Sequence, residues 1–350
     1  MVDEDGPDDA EPEAASEEIA LPGERGRRST RAGEHRAVLL EEVLACIKPR
    51  EGMRGVDCTV GWGGHSAELL KRMGPTGLLI GMDFDGQNID KARLRLEEVG
   101  FPYRLHHGNF AGIQRAIGTS LAERAIGGEQ GGTQVDWVLA DLGISSMQLD
   151  DSERGFSYMR DGPLDMRMDP TRGMTAADLL AKISKEELRD ALATLGDEPA
   201  AAWIAASIIE ARNREPITRT RQLSQILLEA TVDPRERRHP DQPLLPNRWN
   251  NRPLARAFQA LRILVNRELM NLEALLRVLP SCLKPGGVAA IISFHSGEDR
   301  QVKRAFREGL KSGVYEEVSK EPIRPTAEEC VSNPRSRSAK LRWARRAYEA

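Results

Sequence analysis

Three acids and a glycine turn stand where a parallel sheet would offer them to a ligand. Val56-Asp57-Cys58-Thr59-Val60-Gly61-Trp62-Gly63-Gly64-His65-Ser66 reads as a buried strand end, a glycine-dense turn and a helix start. Glycine permits positive φ and lets a ligand approach bare backbone. Amides at a helix N-terminus favour an anionic group. Nineteen residues past Gly64, Asp83 closes the apolar run Leu78-Leu79-Ile80-Gly81-Met82. An acid at the tip of a second strand at that spacing is placed to accept both hydroxyls of a ribose. Asp141 ends a further apolar run, Val135-Asp136-Trp137-Val138-Leu139-Ala140, and would face the same crevice at the carboxyl ends of the strands. The chemistry implied is binding of an adenosine-type cofactor. On its own, Asp141 suits a turn at a strand end as well as a reacting group.

The dinucleotide pattern G-x-G-x-x-G is absent, because His65, Ser66 and Ala67 follow the glycines, and no phosphate-cradling P-loop occurs. Asp57-x-Thr59-x-Gly61-x-Gly63-Gly64 is similar to the first motif of S-adenosylmethionine-dependent methyltransferases. In members acting on exocyclic amines, an Asp or Asn with a tight turn often stands at the position of Asp141. The cytosine amine is a poor nucleophile, since its lone pair is delocalised into the ring. A carboxylate accepting an N–H bond localises that lone pair toward the methyl group, and the displacement is then helped by positioning and preorganised dipoles.

Strands and helices must alternate to hold these groups. The pattern predicts strands near 53–58, 78–83, 103–107 and 134–141, with helices at 35–44, 64–73 and 86–99. This βαβ rhythm argues for an α/β protein with a mostly parallel, doubly wound sheet. From 150 to 256 no strand is expected. Helical pieces are predicted near 175–182, 185–195, 199–213 and 220–230, then an arginine- and proline-rich connection to about 253. The α/β pattern is expected to resume at Phe258, with Leu261, Val265, Leu269, Leu272 and Leu276 on one helical face. Lys284-Pro285-Gly286-Gly287 leads into a strand at Val288–Phe294. Ser296 with Asp299 resembles a capping box for a helix at Gln301–Leu310.

Bulk numbers exclude some classes. No apolar run among the 350 residues approaches the roughly 18 a membrane helix needs, and no signal peptide is expected. Cys46, Cys58, Cys282 and Cys330 are scattered, which points away from disulfides and structural zinc and toward a reducing cytoplasm. The net charge of −4 conceals an acidic leader: residues 1–20 carry nine acids and no base, leaving 50 bases against 45 acids elsewhere. Residues 211–256 hold ten arginines and five acids, and the tail from Asn333 holds Arg335, Arg337, Lys340, Arg342, Arg345 and Arg346 against Glu349. Such clusters suit a polyanion or solvated helix faces.

Asp141–Gln148, Arg154-Gly155-Phe156-Ser157, Asp161–Pro170, Phe258–Ile263, Ser293–Arg300 and Asn333–Ser338 together resemble the bacterial 16S ribosomal RNA cytosine-N4-methyltransferase family, over roughly residues 34–346. The resemblance implies a Rossmann-like class I methyltransferase domain (34–149 and 257–350) interrupted by an inserted helical domain for substrate recognition (150–256), behind a disordered leader (1–33). It implies S-adenosylmethionine as donor and, as substrate, one cytosine of the decoding region in the small ribosomal subunit. Carried over by position, the cofactor contacts are Gly63, Gly64, His65, Asp83, Phe110, Asp141 and Gln148, with Asp141 also catalytic. Candidate RNA contacts are Arg154, Phe156, Arg167, His295, Arg335 and Arg337. Phe156 and Tyr158 could stack on an extruded base or pack under their loop; His295 could meet base or phosphate, or serve structure. No metal is expected, with Asp165 and Asp169 assigned to loop hydrogen bonds. Ala257, Gly297, Trp62 and residues 246–253 depart from the family pattern. A non-catalytic RNA-binding assembly factor is the rival reading, and a homodimer is left open.

Overall fold

The computed structural model describes residues 37–125, 133–231 and 251–348. The acidic leader, the glycine-rich loop at 127–132 and most of the connection before 253 lie outside these. β1 (Arg54–Asp57), β2 (Leu78–Asp83), β3 (Tyr103–His107), β4 (Val135–Asp141) and β5 (Leu283–Ser293) run parallel, and β6 (Tyr315–Val318) and β7 (Lys340–Arg346) complete a seven-stranded sheet in the order β3-β2-β1-β4-β5-β7-β6. β7 is antiparallel to both its neighbours. The order reverses direction beside β1, between β1 and β4, and the carboxyl ends of the strands there form a crevice.

Side-chain alternation in the strands builds two cores. Val138 and Ala140 of β4, with Ala289 and Ile291 of β5, face α4 (Ile113–Ala125), α11 (Glu268–Cys282) and α12 (Ser296–Lys311). Trp137 and Leu139, with Ala290 and Ile292, face α1 (Leu40–Ile47), α2 (Gly64–Met73) and α3 (Gly86–Val99). A strand buried on both faces must be apolar at every position, which is why β2 and β4 read as continuous apolar runs. Gly55 pairs with Trp137 across β1 and β4, and a Cβ there would lie 1.8 Å from the indole, so only glycine leaves room for that ring.

A third core sits between β4 and α11. It is made by α6 (Ala176–Lys182), α7 (Lys185–Leu195), α8 (Ala201–Arg214), α9 (Thr220–Thr231) and α10 (Asn251–Asn266). Thr175 and Ser184 close capping boxes at the starts of α6 and α7. Short α5 (Ser146–Asp150) leads into this unit, and α13 (Ala327–Ser332) precedes the tail.

Four expectations need correction. The single helical face across Leu261–Leu276 is two helices: Arg267 at φ 52 breaks the chain, α10 buries Leu254, Ala257, Phe258 and Leu261 in the helical core, and only α11 returns to the sheet. α12 begins at Ser296, and its N-cap is His295, whose ring accepts from the Glu298 N–H; Ser296 instead donates to Asp197. The basic tail is largely β7: Arg342 is buried and bonded to Asp299 at 2.6 Å, with Lys340 3.3 Å from the same carboxylate. The arginines described at 211–256 are likewise mostly engaged, Arg212 with the Ile183 carbonyl, Arg214 with Glu210, Arg219 with Asp161 and Arg256 with Glu198.

Candidate active site

The glycine turn is held by its own acid. Asp57, buried at the end of β1, accepts from the Thr59 N–H at 3.1 Å and the Ser66 hydroxyl at 2.7 Å. That bond pins the first turn of α2 against the strand. Gly61 and Gly63 take φ 53 and 77, the left-handed region where a Cβ is strained, and Gly63 is the N-cap of α2. Asp83 braces the other side, accepting from Gly61 N–H at 2.8 Å, Asp85 N–H at 2.8 Å and Asn88 at 3.2 Å. Burial pushes the Asp57 and Asp83 carboxyls up to about 6, against these donors.

One cavity at the strand ends is lined by Gly61, Gly64, His65, Asp83, Phe110, Asp141 and Gln148, with Phe84 and Phe294 among its apolar walls. Six of the seven residues expected around a cofactor therefore converge on it, with Gly63 one residue back as the helix cap. The Asp141 N–H is held by Thr59 Oγ1 at 2.6 Å, while its Oδ1 is sealed from solvent without a hydrogen-bond partner. Burial first, then the Asp57 and Glu298 charges, push the Asp141 carboxyl well above the ordinary range. A buried carboxylate oxygen without a donor is costly unless a ligand supplies one.

His65 completes this side. Its Nε2–H donates to the Val38 carbonyl at 2.8 Å, so its Nδ1 lone pair faces Asp141 Oδ2, 3.8 Å away. Burial lowers the imidazole pKa to about 4, so the ring is neutral near pH 7. Gln148 lines the cavity with both amide ends engaged: Oε1 accepts from Ser145 N–H, and Nε2 donates to Asp85 Oδ2 at 2.8 Å. It therefore shapes the loop over the cavity.

The RNA candidates separate. Arg335 lines the cavity rim and bonds Asp150 at 3.1 Å; Arg337 is exposed and away from it. Arg167 lines an adjoining groove and grips Asp165. Arg154 and Phe156 are buried, which leaves Phe156 its packing alternative, and His295 takes its structural one. Arg154 is 7% exposed, and its guanidinium is spent on Asp85 and on the carbonyls of Arg167 and Met168. Phe156 is 5% exposed within the helical core, out of reach of a base. His295 caps α12, with Nε2 3.2 Å from Glu298 Oε1.

Sequence reasoning missed the residues that tie the units together. Asp85 caps α3 and joins Gln148 to Arg154; an acid directly before a predicted helix was its signal. Asn266 donates to the Met166 carbonyl and accepts from Met168 N–H, both at 2.7 Å, fixing the loop that carries Arg167. Ser145-x-x-Gln148 is a capping box that could have been read. Glu298 lines the cavity: burial alone would raise its pKa, but His295, Arg262 and the Phe294 N–H hold it low. Donor atoms of Glu268, His295 and Glu298 lie within 4.8 Å of one another, and Arg262, bonded to Glu268 at 2.8 Å, brings positive charge beside them.

A doubly wound sheet with this turn and two strand-end acids defines a Rossmann-like α/β protein with a nucleoside-type cleft. The model of the MraW methylase family matches residues 32–347, and the chain belongs to that family. It is 40% identical over 338 residues to ribosomal RNA small subunit methyltransferase H 2 of Alkaliphilus metalliredigens, covering 95% of this chain and 91% of that one. It is 42% identical over 316 residues to ribosomal RNA small subunit methyltransferase H of Sorangium cellulosum (90% and 92%). To the protein of the same name from Koribacter versatilis it is 40% identical over 338 residues (95% and 99%).

Proposed function

We propose that this protein is an S-adenosylmethionine-dependent methyltransferase acting on the N4 amine of one cytosine in small-subunit ribosomal RNA. The observation that carries the reading is Asp141: a carboxylate with one sealed, unpartnered oxygen, at the end of β4 in the same cavity as Asp83 and the glycine turn. The family and the names of the relatives supply the ribosomal RNA; the cytosine and its N4 position rest on the motif resemblance. The residues present fit the cofactor. Gly61–Gly64 give a bare backbone approach, Asp83 keeps acceptor capacity on Oδ2 for a ribose hydroxyl, Phe110 offers an apolar face to adenine, and Asp141 suits a cationic group. The cofactor supplies an electrophilic methyl group on a sulfonium.

The chain's own part is to bind, orient and deprotonate. Asp141, whose carboxyl is 21% exposed to the cavity beside the sealed Oδ1, accepts an N–H of the incoming amine. Its high pKa makes it a competent acceptor for the proton the amine must lose. Neutral His65, with its Nδ1 lone pair toward Asp141, lets that proton stay without building a second charge. The three cores suggest a division of labour: the sheet binds cofactor, and a helical unit running to Arg267 rather than 256 closes over the substrate. Among the described residues no helix is long and apolar enough to cross a membrane.

The test is mass mapping of 16S RNA from a strain lacking this protein, with calorimetry of S-adenosylmethionine on the purified chain. One cytosine missing a methyl group, restored in vitro by the protein, is the expected result. Tight RNA binding without cofactor affinity or transfer would hand the chain to the assembly-factor reading.

A further inference from the structure

We infer that the groove beside the cavity carries the phosphodiester backbone of a single RNA strand, one base of which enters the cavity. The inference rests on the proposed RNA substrate and names the surface that holds it. The groove shares Phe84, Asn109, Asn266 and Asn271 with the cavity, so the two spaces are continuous. Its arginines come from unconnected elements: Arg115 from α4, Arg167 and Arg172 from the loop before α6, and Arg267 from the break between α10 and α11. Asp169 is the one acid on the groove wall among the described residues, and its charge is already paired with Arg172, 2.5 Å away. Arg167 is held by Asp165. Arg115 and Arg267 are exposed, and no described carboxylate lies within ion-pair distance of either.

Four guanidinium groups along an open groove match a chain of phosphates better than a compact ligand. Two further features fit a strand feeding a base inward. The Arg172 guanidinium lies 5.2 Å over the Phe84 ring, which belongs to both spaces, so a planar cation marks the junction. Arg267 holds φ 52, a conformation a long side chain adopts at a cost, and the break it makes sets it on the groove wall. An enzyme working on a base must take it out of its stack, leaving the flanking backbone to be gripped elsewhere. The described arginines of the two clusters seen in the sequence are mostly engaged within the fold; the groove's four come from three separate stretches of chain that meet only in space.

The double variant Arg115→Gln with Arg267→Asn tests this, since glutamine suits an exposed helix site and asparagine tolerates positive φ. The probe is small ribosomal subunits from a strain lacking this protein, retained on filters across about 50 to 200 mM salt. Affinity is expected to fall roughly tenfold or more at the low-salt end, and the log–log salt slope to flatten by about 1.4 for two lost phosphate contacts. Melting temperature and S-adenosylmethionine affinity stay at wild-type values. Arg189→Gln with Arg214→Gln, on exposed faces of α7 and α8, is the matched control and should leave binding unchanged. Wild-type affinity and slope in the double variant would overturn the inference. So would an equal loss in the control pair, or a loss that is the same at every salt concentration, as a protein partner would give. If wild-type protein binds subunits but transfers no methyl group, the enzymatic reading fails while the groove stands. If the enzyme transfers normally and the double variant binds normally, the groove fails alone.

Discussion

Asp141 is surrounded by groups that resist its charge, and that sets its chemistry. Burial, Asp57 and Glu298 all raise its pKa, so its carboxylate form is a better proton acceptor than an ordinary aspartate. Asp141→Asn keeps the size and the backbone bond to Thr59 but cannot take a proton. Turnover is expected to fall about 100-fold or more with the melting temperature preserved. The acid limb of the wild-type rate profile, lying above the usual carboxylate range, should vanish with it. Methyl-transfer kinetics against pH measure both. His65 makes a separate prediction about stability. Its folded pKa is about 4, against about 6.5 unfolded. Between those values the unfolded chain carries the proton and the folded one does not. The contribution is therefore full above pH 6.5 and is lost as pH falls toward 4, about 3 kcal/mol in all. Asp57 and Asp83, raised to about 6 by burial, act in the opposite sense as pH falls. The readout is thus the difference between wild type and His65→Gln in denaturant melts, with the wild type losing ground to the variant from pH 6.5 to 4.

Elements meet through a few buried polar joints. Arg154, in the loop after α5, reaches Asp85 at the N-terminus of α3 at 2.7 Å, and both are almost fully buried. Arg154→Ala leaves the Asp85 charge in the interior with fewer donors. A loss of about 3 kcal/mol is expected, measurable by urea unfolding. Asp85→Asn in the same background should recover part of it, since the stranded charge is then gone. Packing between strands is equally strict. Gly55→Ala would drive a methyl group into the Trp137 indole, and destabilisation of at least about 3 kcal/mol is expected from the same melts.

At the scale of the molecule, two spaces with different physics lie side by side. The cavity is lined by the carboxylates Asp83, Asp141, Glu268 and Glu298, while the groove beside it is lined by guanidinium groups. Cofactor affinity should therefore hardly move with salt. If all four groove arginines meet phosphates, RNA affinity should fall with a log–log slope of roughly −3. Parallel calorimetry and filter binding over one salt series would show a common slope if the two sites were not distinct.

Local pattern was enough to place β1 to β5, α2, α3 and the helices from α6 to α9 within a few residues. Buried parallel strands and amphipathic helices are written in short-range periodicity. The glycine turn, Asp83 and Asp141 were legible for the same reason, since strand ends in such a sheet converge by topology. What local pattern could not show was which charges are spent. Arg154 and Arg342 look like surface chemistry in the chain, and burial against distant partners makes them internal braces; Arg212, half-buried, is spent on the Ile183 carbonyl. Nor could periodicity show that the chain returns to the sheet only after Arg267, because the apolar face of α10 continues in phase into α11 and only the two cores they join tell them apart. The arginine groove is the same lesson reversed: Arg115, Arg172 and Arg267 are ordinary, scattered residues until folding sets them along one wall. Electrostatics act through space, so tertiary structure alone decides which charges become neighbours.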